Sequence, residues 1–297
     1  MHHHKYRLII PFLSPALLLY GLFVLWPYAQ AIYISFTGWR GVSASKPWVG
    51  MENYRRAWDD PRLIDALSRN GQILIVLSIV TITIALTFAA LFTQGSNAIR
   101  GAGFYRVVFF FPQVISAVIV GMLWGYVYHP NVGLLNGTLD ILGLDSLERA
   151  WLGNPTTILW AIVAVIVWSS VGFYMVIYIA SMQSIPTSFY EAAVLDGANR
   201  WTSFRDITFP LIWETLRTTL IYIGIIALDV FVLVQVMTGG GVGSGRRAEV
   251  AALYLYNQAF DRSRWGYASA IGVIMLLLTL LLSVVIMRFT RRETYEF

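Results

Sequence analysis

The stretch "TILWAIVAVIVWSSVGFYMVIYIASM", Thr157–Met182, contains no charged residue. A helix needs about 20 mainly apolar residues to cross the hydrocarbon core of a bilayer, so this stretch is long enough to span a membrane. Its apolar residues are continuous, whereas the strands of a membrane barrel are roughly ten residues long and alternate in polarity. Five more runs are nearly free of charge: Leu8–Phe36, Gly71–Thr93, Tyr105–Tyr128, Leu211–Met237 and Ala268–Met287. We predict an all-α, polytopic membrane protein with six transmembrane helices in a single domain, residues 1–297.

The composition supports a membrane protein and excludes several kinds of site. Hydrophobic residues make up 57% of the chain and charged residues 12%, which is too apolar for an ordinary soluble domain. Because there is no cysteine, the chain has no disulfide, thiolate nucleophile or cysteine metal site. The adjacent histidines His2–His4 are more typical of a tag or an incidental N-terminus than of a metal site, and His129 lacks acidic neighbours. We predict neither a catalytic site nor a metal site.

The topology follows from the even number of spans, which puts both termini on the same side of the membrane. Ala29-Gln30-Ala31 imitates a signal-peptidase site. The apolar run before it is longer than a typical signal core and continues beyond it, so we expect an uncleaved first span. Cytoplasmic termini would put ten of the 21 Lys and Arg residues inside and eleven outside, so charge counting does not fix the orientation.

The glycine-rich segment "MTGGGVGSGRR" after the fifth run invites comparison with a phosphate-binding loop. A Walker A loop needs Gly-Lys-Ser/Thr after a strand. This segment ends in Gly245-Arg246-Arg247, follows an apolar helix, and the chain's lysines are Lys5 and Lys46. We expect no nucleotide or other cofactor to be bound by this chain.

Residues 185–209, between the fourth and fifth runs, carry signals for a helix, a turn and a second helix. Ser188 and Glu191 fit a capping box at a helix start, and Gly197 is the residue type expected at a helix end. A second helical piece, Ala198–Asp206, should precede Pro210. Since membrane helices can be joined by two to eight residues, an insertion of this size is either a surface for another protein or an amphipathic hairpin on the lipid.

A resemblance to a known family decides between these readings. Glu191-Ala192-Ala193, Asp196-Gly197-Ala198, Ile207 and Phe209-Pro210-Leu211 resemble the "EAA" loop of permease subunits of binding-protein-dependent ABC importers. Phe209 stands where the family usually has leucine. Other segments resemble the carbohydrate branch, similar to the maltose and glycerol-phosphate permeases: "WVGMENY" at Trp48–Tyr54, "FYRVVFFFPQVIS" at Phe104–Ser116, "GLLN" at Gly133–Asn136, "MQSIP" at Met182–Pro186, "MTGGG" at Met237–Gly241 and "GYASA" at Gly266–Ala270.

The resemblance implies a non-catalytic subunit of an ATP-driven sugar importer in a bacterial or archaeal plasma membrane, with both termini cytoplasmic. Its expected partners are a second, related permease, two ATPase subunits that hold ATP-Mg, and an extracytoplasmic sugar-binding protein, with no nucleic acid. The loop would be a cytoplasmic coupling helix in which Glu191 makes polar contact and Gly197 forms the bend. The implied ATPase-coupling residues are Glu191, Ala192, Ala193, Asp196, Gly197 and Pro210.

A sugar path needs hydrogen-bonding side chains and aromatic faces within the membrane. Our candidates are Gln113, Tyr174, Asp229 and Gln235. A carboxylate inside the bilayer costs about 2.5 kcal/mol or more, so Asp229 lines such a path, pairs with another helix or lies close to the outer interface. The alternative, an ion-coupled secondary transporter, predicts internal repeats and several intramembrane ionisable residues, and neither is evident in the sequence.

The first external segment, Thr37–Arg69, is rich in tryptophan and tyrosine, among them Trp39, Trp48 and Trp58. These residue types concentrate at the level of the lipid headgroups, so the segment is predicted to form an aromatic belt. The same residues would also suit a docking surface for an external partner, and the two roles are compatible.

Overall fold

The computed structural model describes residues 3–93, 102–239 and 246–290, with side chains from Pro11 onward. His2, Gly240–Gly245 and the tail from Arg291 therefore lie outside the described residues. Within them the chain is helical, and one isolated bridge joins Thr37 to Trp48. The all-α prediction is confirmed. The helices are α1 His3–Tyr20, α2 Trp26–Ser35, α3 Glu52–Trp58, α4 Pro61–Thr93, α5 Ala102–Val114, α6 Ala117–Val127, α7 Leu134–Ile141, α8 Ile158–Gln183, α9 Thr187–Leu195, α10 Arg200–Ser203, α11 Phe209–Leu211, α12 Trp213–Leu228, α13 Val232–Met237, α14 Ala251–Tyr256 and α15 Trp265–Phe289.

Four described helical segments are long and apolar enough to cross a membrane: Pro11–Ser35, Pro61–Thr93, Ile158–Gln183 and Trp265–Phe289. Two bent pairs raise the number to six if each pair counts as one span. The predicted third span, Tyr105–Tyr128, is one of these pairs, because α5 and α6 meet at 99°. Pro112 has no N–H to continue the helical ladder, and the chain is extended at Ser116 before α6 begins. The third span is therefore bent close to Pro112, the proline that lies near its start.

The predicted fifth span, Leu211–Met237, is divided in the structure into α12 and α13. The axis bends by 66° between Arg200–Leu211 and α12. The helix then stops at Leu228, and Asp229–Phe231 separate it from α13. The buried amide of Asn70 on α4 supports this break, because its Nδ2 donates to the carbonyl oxygen of Ala227 at 2.7 Å. The carbonyl is thus satisfied without a following helical turn.

The second span begins at Pro61, well before the predicted Gly71. Asp60 is the reason, because its Oδ1 accepts hydrogen bonds from the backbone N–H of Arg62 at 3.0 Å and of Leu63 at 3.4 Å. An aspartate before a proline at the first helical position is a strong start signal. The added turns carry Asp65 and Arg69, so the helix extends beyond its apolar part.

Contacts divide the chain into two compact units, and the first comprises the described parts of Met1–Ile64 and Tyr254–Leu278. In this unit the second carboxylate oxygen of Asp60, Oδ2, accepts hydrogen bonds from the hydroxyls of Tyr254 and Tyr267, both at 2.6 Å. Asn53 donates to the carbonyl oxygens of Ser35 and Thr37 and so fixes the chain after α2. Asp60 thereby joins the starts of α4 and α15 to α14.

Asp60→Asn should lower stability at neutral pH by about 1–3 kcal/mol, because the tyrosine hydroxyls lose a charged acceptor while asparagine can still cap α4. Burial raises the pKa of the Asp60 carboxyl, but the hydrogen bonds from Tyr254, Tyr267 and the backbone of Arg62 and Leu63 outweigh it, so the net pKa is lowered. The carboxylate's contribution is therefore present at neutral pH and is lost as the pH falls through this depressed value. Melting temperatures of wild type and variant should converge only below about pH 4.

The adjacent Asp59→Asn serves as the control, since Asp59 is exposed and lies outside this network. It should melt like wild type at every pH. An equal loss in both variants, or a gap that persists in strong acid, would contradict the role given to Asp60.

The second unit comprises the described parts of Asp65–Leu253 and Thr279–Phe297, and its core is built around α8. Helix α5 crosses α8 at Gly172, where an added Cβ would lie 1.8 Å from the carbonyl oxygen of Phe109. Helix α6 meets α13 at Gly121, where a Cβ would lie 2.9 Å from Val236. Glycine thus lets these helices approach closely, as is common in membrane proteins. At the other end of the unit, Trp213 Nε1 donates to the carbonyl oxygen of Thr290 at 2.7 Å.

Candidate functional site

The candidate coupling loop begins with α9, Thr187–Leu195, a short way after α8 ends at Gln183. The predicted capping box is wrong in detail. Pro186, in an extended conformation, occupies the N-cap position, so the helix starts before Ser188. Because the proline side chain cannot accept a hydrogen bond, this start has no side-chain cap. Glu191 is exposed on α9, and among the described residues its carboxylate forms no hydrogen bond or ion pair.

The turn predicted at Gly197 is confirmed. Gly197 has φ +79°, in the left-handed region that glycine adopts without strain. Its N–H donates to Val194 O at 3.0 Å, and the N–H of Ala198 donates to Ala193 O at 2.9 Å. These two hydrogen bonds form a Schellman motif, which ends α9 and reverses the chain. Ala193 thus supports the turn through its carbonyl.

The second arm of the loop is shorter and less regular than the predicted helix Ala198–Asp206. Asn199 caps α10, because its Oδ1 accepts from Thr202 N–H at 2.9 Å. A π-helical turn, Phe204–Thr208, then leads to α11, where Pro210 lies in the first turn. The hydroxyls of Tyr190 and Thr208 are 2.9 Å apart and join the two arms. The loop is therefore a fixed helix–turn–helix.

The loop exposes apolar side chains that no other described residue covers. Val194 is 66% exposed, Leu195 89% and Trp201 67%. Glu191 and Asp196 lie exposed among them. An apolar surface with polar neighbours on a fixed element is typical of an interaction site.

The four candidate path residues lie in two kinds of environment. Tyr174 on α8 is buried and its hydroxyl has no hydrogen-bond partner among the described residues, and the same holds for Oε1 of Gln235 on α13. By contrast, Gln113 on α5 is exposed, and so is Asp229 at the break after α12. Because α5 and α13 both pack against α8, Gln113 and Gln235 lie on helices that neighbour Tyr174.

The sequence interpretation missed two buried polar residues. Besides its hydrogen bond to Ala227, Asn70 accepts a hydrogen bond through Oδ1 from the N–H of Ala251 at 2.9 Å. It therefore joins α4 to the end of α12 and to the start of α14. The position of the Asn70 amide just before the apolar part of a span was a signal in the sequence that could have marked it as a buried polar residue. Tyr178 lies one turn beyond Tyr174 and is also buried, with its hydroxyl beside the side chain of Thr219. Its spacing of four residues from Tyr174 puts both on one face of α8.

One group of carboxylates in the described residues could approach a cation. Asp140, Asp145 and Glu148 have oxygens within 4.8 Å of one another, and all three residues are exposed. Clusters of this kind are common on protein surfaces without a bound ion, so they define no metal centre.

Comparison with known proteins identifies the family. Residues 85–295 match the family described as "binding-protein-dependent transport system inner membrane component". The chain belongs to this family. The permease is 40% identical over 284 residues to the diacetylchitobiose uptake system permease protein NgcF of Streptomyces coelicolor, covering 93% of this chain and 80% of NgcF. It is 38% identical to the probable ABC transporter permease protein YurN of Bacillus subtilis, covering 97% and 98% of the two chains.

The permease also shares its fold with a solved importer. It superposes with a TM-score of 0.84 on a chain of a bacterial alginate ABC transporter in complex with an alginate pentasaccharide-bound periplasmic protein. The match covers 99% of this chain and 98% of the other at 22% identity, so it supports the architecture alone. The relatives are permeases of ABC or uptake systems, and none of these comparisons supports an ion-coupled secondary transporter.

Proposed function

We propose that this permease is the membrane-spanning subunit of an ATP-driven importer for an oligosaccharide, and that α9 and the turn at Gly197 couple it to a partner ATPase. The exposed helix–turn–helix between α8 and α12 carries the proposal. Val194, Leu195 and Trp201 present apolar surface that an ATPase subunit would bury, and Glu191 adds a charge for a polar contact.

The fixed geometry of the loop suits the transmission of movement. Its two arms are tied by the Tyr190–Thr208 hydrogen bond and by the Schellman motif at Gly197. The loop can therefore move as one body when a bound ATPase moves. ATP binding would close the two ATPases and rock the spans toward the outward-facing state, and hydrolysis would reset them. The driving force is the differential affinity of ATP and of the binding protein for the two states.

The orientation follows from this role. An ATPase is cytoplasmic, so the loop at the end of α8 is cytoplasmic as well. Counting crossings along six spans then puts both termini inside. The segments that follow α2, α6 and α13 lie outside, where an external binding protein delivers substrate. A second, related permease completes the membrane path, and ATP-Mg is held by the ATPases.

The substrate class is proposed from the similarity to NgcF, whose name gives the disaccharide diacetylchitobiose, and from polar groups within the spans. The hydroxyl of the buried Tyr174 lacks a hydrogen-bond partner in the described structure, and so does Oε1 of Gln235. Buried polar groups without partners are costly, so a ligand or water that satisfies them is expected. Aromatic rings with adjacent hydroxyl and amide groups suit a sugar.

Tyr174→Phe should weaken sugar uptake by about ten-fold, the loss expected for one hydrogen bond, while stability stays unchanged or rises. The reason is that the variant deletes a hydroxyl which has no partner within the described chain. The measurements are the KM of uptake in proteoliposomes and the melting temperature.

Tyr128→Phe is the matched control, because the hydroxyl of Tyr128 donates to Ala161 O at 3.1 Å. It should lose stability and keep its KM. If Tyr174→Phe transports with wild-type KM, Tyr174 does not contact the sugar.

The proposed function is tested by purifying the permease from its host in mild detergent and identifying what co-purifies by mass spectrometry. Recovery of an ATPase and a second permease, with ATP-dependent uptake after reconstitution, is the expected result. A chain recovered alone that takes up solute with an ion gradient would refute the proposal.

A further inference from the structure

The first unit contains a strongly basic cavity that the transport path does not use. Its volume is about 480 Å³. Arg40, Arg56, Arg262 and Arg264 line it together with Trp39 and Tyr267, and no acidic residue lines it. None of these four guanidinium groups forms an ion pair with a carboxylate in the described part of the chain. A concave site of one charge sign focuses its field and attracts a counter-charge.

The walls of this cavity are held in place before any ligand arrives. The Arg56 guanidinium lies 4.7 Å from the centre of the Tyr267 ring. The hydroxyl of Tyr267 is in turn fixed on Asp60. On the opposite wall, Trp39 O accepts from Gly266 N–H at 3.0 Å, and the Lys46 ammonium adds another cation 4.4 Å from the Trp39 ring.

The third wall is a constrained turn. Ser263 has φ +51°, which is uncommon for a residue with a side chain, and its two neighbours are Arg262 and Arg264. The backbone N–H of Arg262 donates a hydrogen bond to Asn257 O at 3.1 Å, and that of Arg264 donates to Gln258 O at 2.8 Å. Such local strain is found at binding sites, where the surrounding structure maintains it. Here it directs two arginines into one cavity.

The chemistry of the cavity favours carboxylates presented by a protein. Guanidinium groups bind carboxylates in a bidentate manner, and arginine and tryptophan are the residue types that dominate protein interfaces. The cavity is lined by residues that follow α2 in the chain and by residues around the start of α15, so it lies at the ends of these two spans. By the crossings counted above, these ends are external.

We propose that this cavity receives acidic side chains of the external binding protein and steers that protein onto the permease. The proposal rests on the proposed function, since it requires an external binding protein. Electrostatic attraction of this kind raises the association rate and weakens with salt.

The test uses the assembled transporter in phosphatidylcholine nanodiscs and its own liganded binding protein as the probe, with affinity and association rate measured at low and high salt. Arg262→Gln with Arg264→Gln should weaken binding at least ten-fold at low salt, and the difference should shrink at high salt. Arg55→Gln with Arg149→Gln is the matched control, because both arginines are exposed and neither lines the cavity. Basal ATP hydrolysis should be unchanged in both.

Unchanged affinity, or an equal loss in the control, would overturn the proposal. A loss seen only in discs with phosphatidylglycerol would overturn it in favour of a lipid headgroup. If the wild-type transporter binds no binding protein at all, the proposed function itself fails, which is a different result from an intact complex that ignores the arginines.

Discussion

Gly197→Val should abolish ATP-driven transport and recovery of the ATPase while leaving a folded permease in the membrane. A valine at φ +79° costs about 1–2 kcal/mol, because its side chain clashes with the backbone in the left-handed region. No atom of the described residues lies within 4 Å of the position that a Cβ would take, so the expected cost is that of the backbone conformation. The loop would lose its Schellman turn, and α9 would present Glu191 and Val194 at a different angle. We expect at least a ten-fold fall in ATP-dependent uptake.

Gly143→Val is a control with the same local geometry. Gly143 has φ +68°, has open space around its Cβ position, and closes α7 with hydrogen bonds of the same pattern. It lies in the segment between α6 and α8, which we place on the external side. Equal loss of transport in the two variants would show that strain in any loop suffices, and the special role of Gly197 would be withdrawn.

Gly172→Ala should destabilise the permease strongly, because the glycine lies where α8 touches the backbone of α5. The new methyl would lie 1.8 Å from the carbonyl oxygen of Phe109 and 2.7 Å from the backbone nitrogen of Phe110. These are backbone atoms, so α5 and α8 must move apart rather than repack a side chain. Overpacking typically costs about 1–3 kcal/mol, and we expect a fall in melting temperature of about 5–10 °C.

Gly125→Ala is the comparison, because α6 offers open space at that position. It should leave the melting temperature unchanged or raise it slightly, since alanine favours the helix by up to about 1 kcal/mol. Thermal unfolding of both variants in the same detergent checks the pair. Equal melting temperatures would show that the contact at Gly172 can relax.

Much of the fold could be predicted because a bilayer imposes length and polarity on each span. The uncharged run Thr157–Met182 corresponds closely to α8, and Gly197 forms the turn that its residue type predicts. The breaks in the helices near Ser116 and Asp229 could not be predicted from apolarity, because hydropathy carries no information on backbone hydrogen bonds. Asn70 supports one of these breaks from far away in the sequence, and no local pattern reports such a contact.

The candidate site was predictable to a similar extent. The motif around Glu191 marked the loop, but the helix start was misplaced because Pro186 ended the preceding segment in an extended conformation. The path residues were selected as polar groups in apolar runs, a criterion that does not separate the buried Tyr174 from the exposed Asp229. That difference depends on tertiary packing, because other helices cover Tyr174 on α8, whereas Asp229 lies in the break between α12 and α13.

Binding of an ATPase subunit to α9 can be measured by photo-crosslinking. Since the chain has no cysteine, Val194→Cys creates a single site for a benzophenone maleimide label. Leu142→Cys supplies the matched control, because Leu142 is 65% exposed and Val194 66%. We expect an ATPase adduct from the label at position 194 in the assembled transporter and none from position 142. An ATPase adduct from position 142, or none from either position in a transporter that hydrolyses ATP, would contradict this expectation.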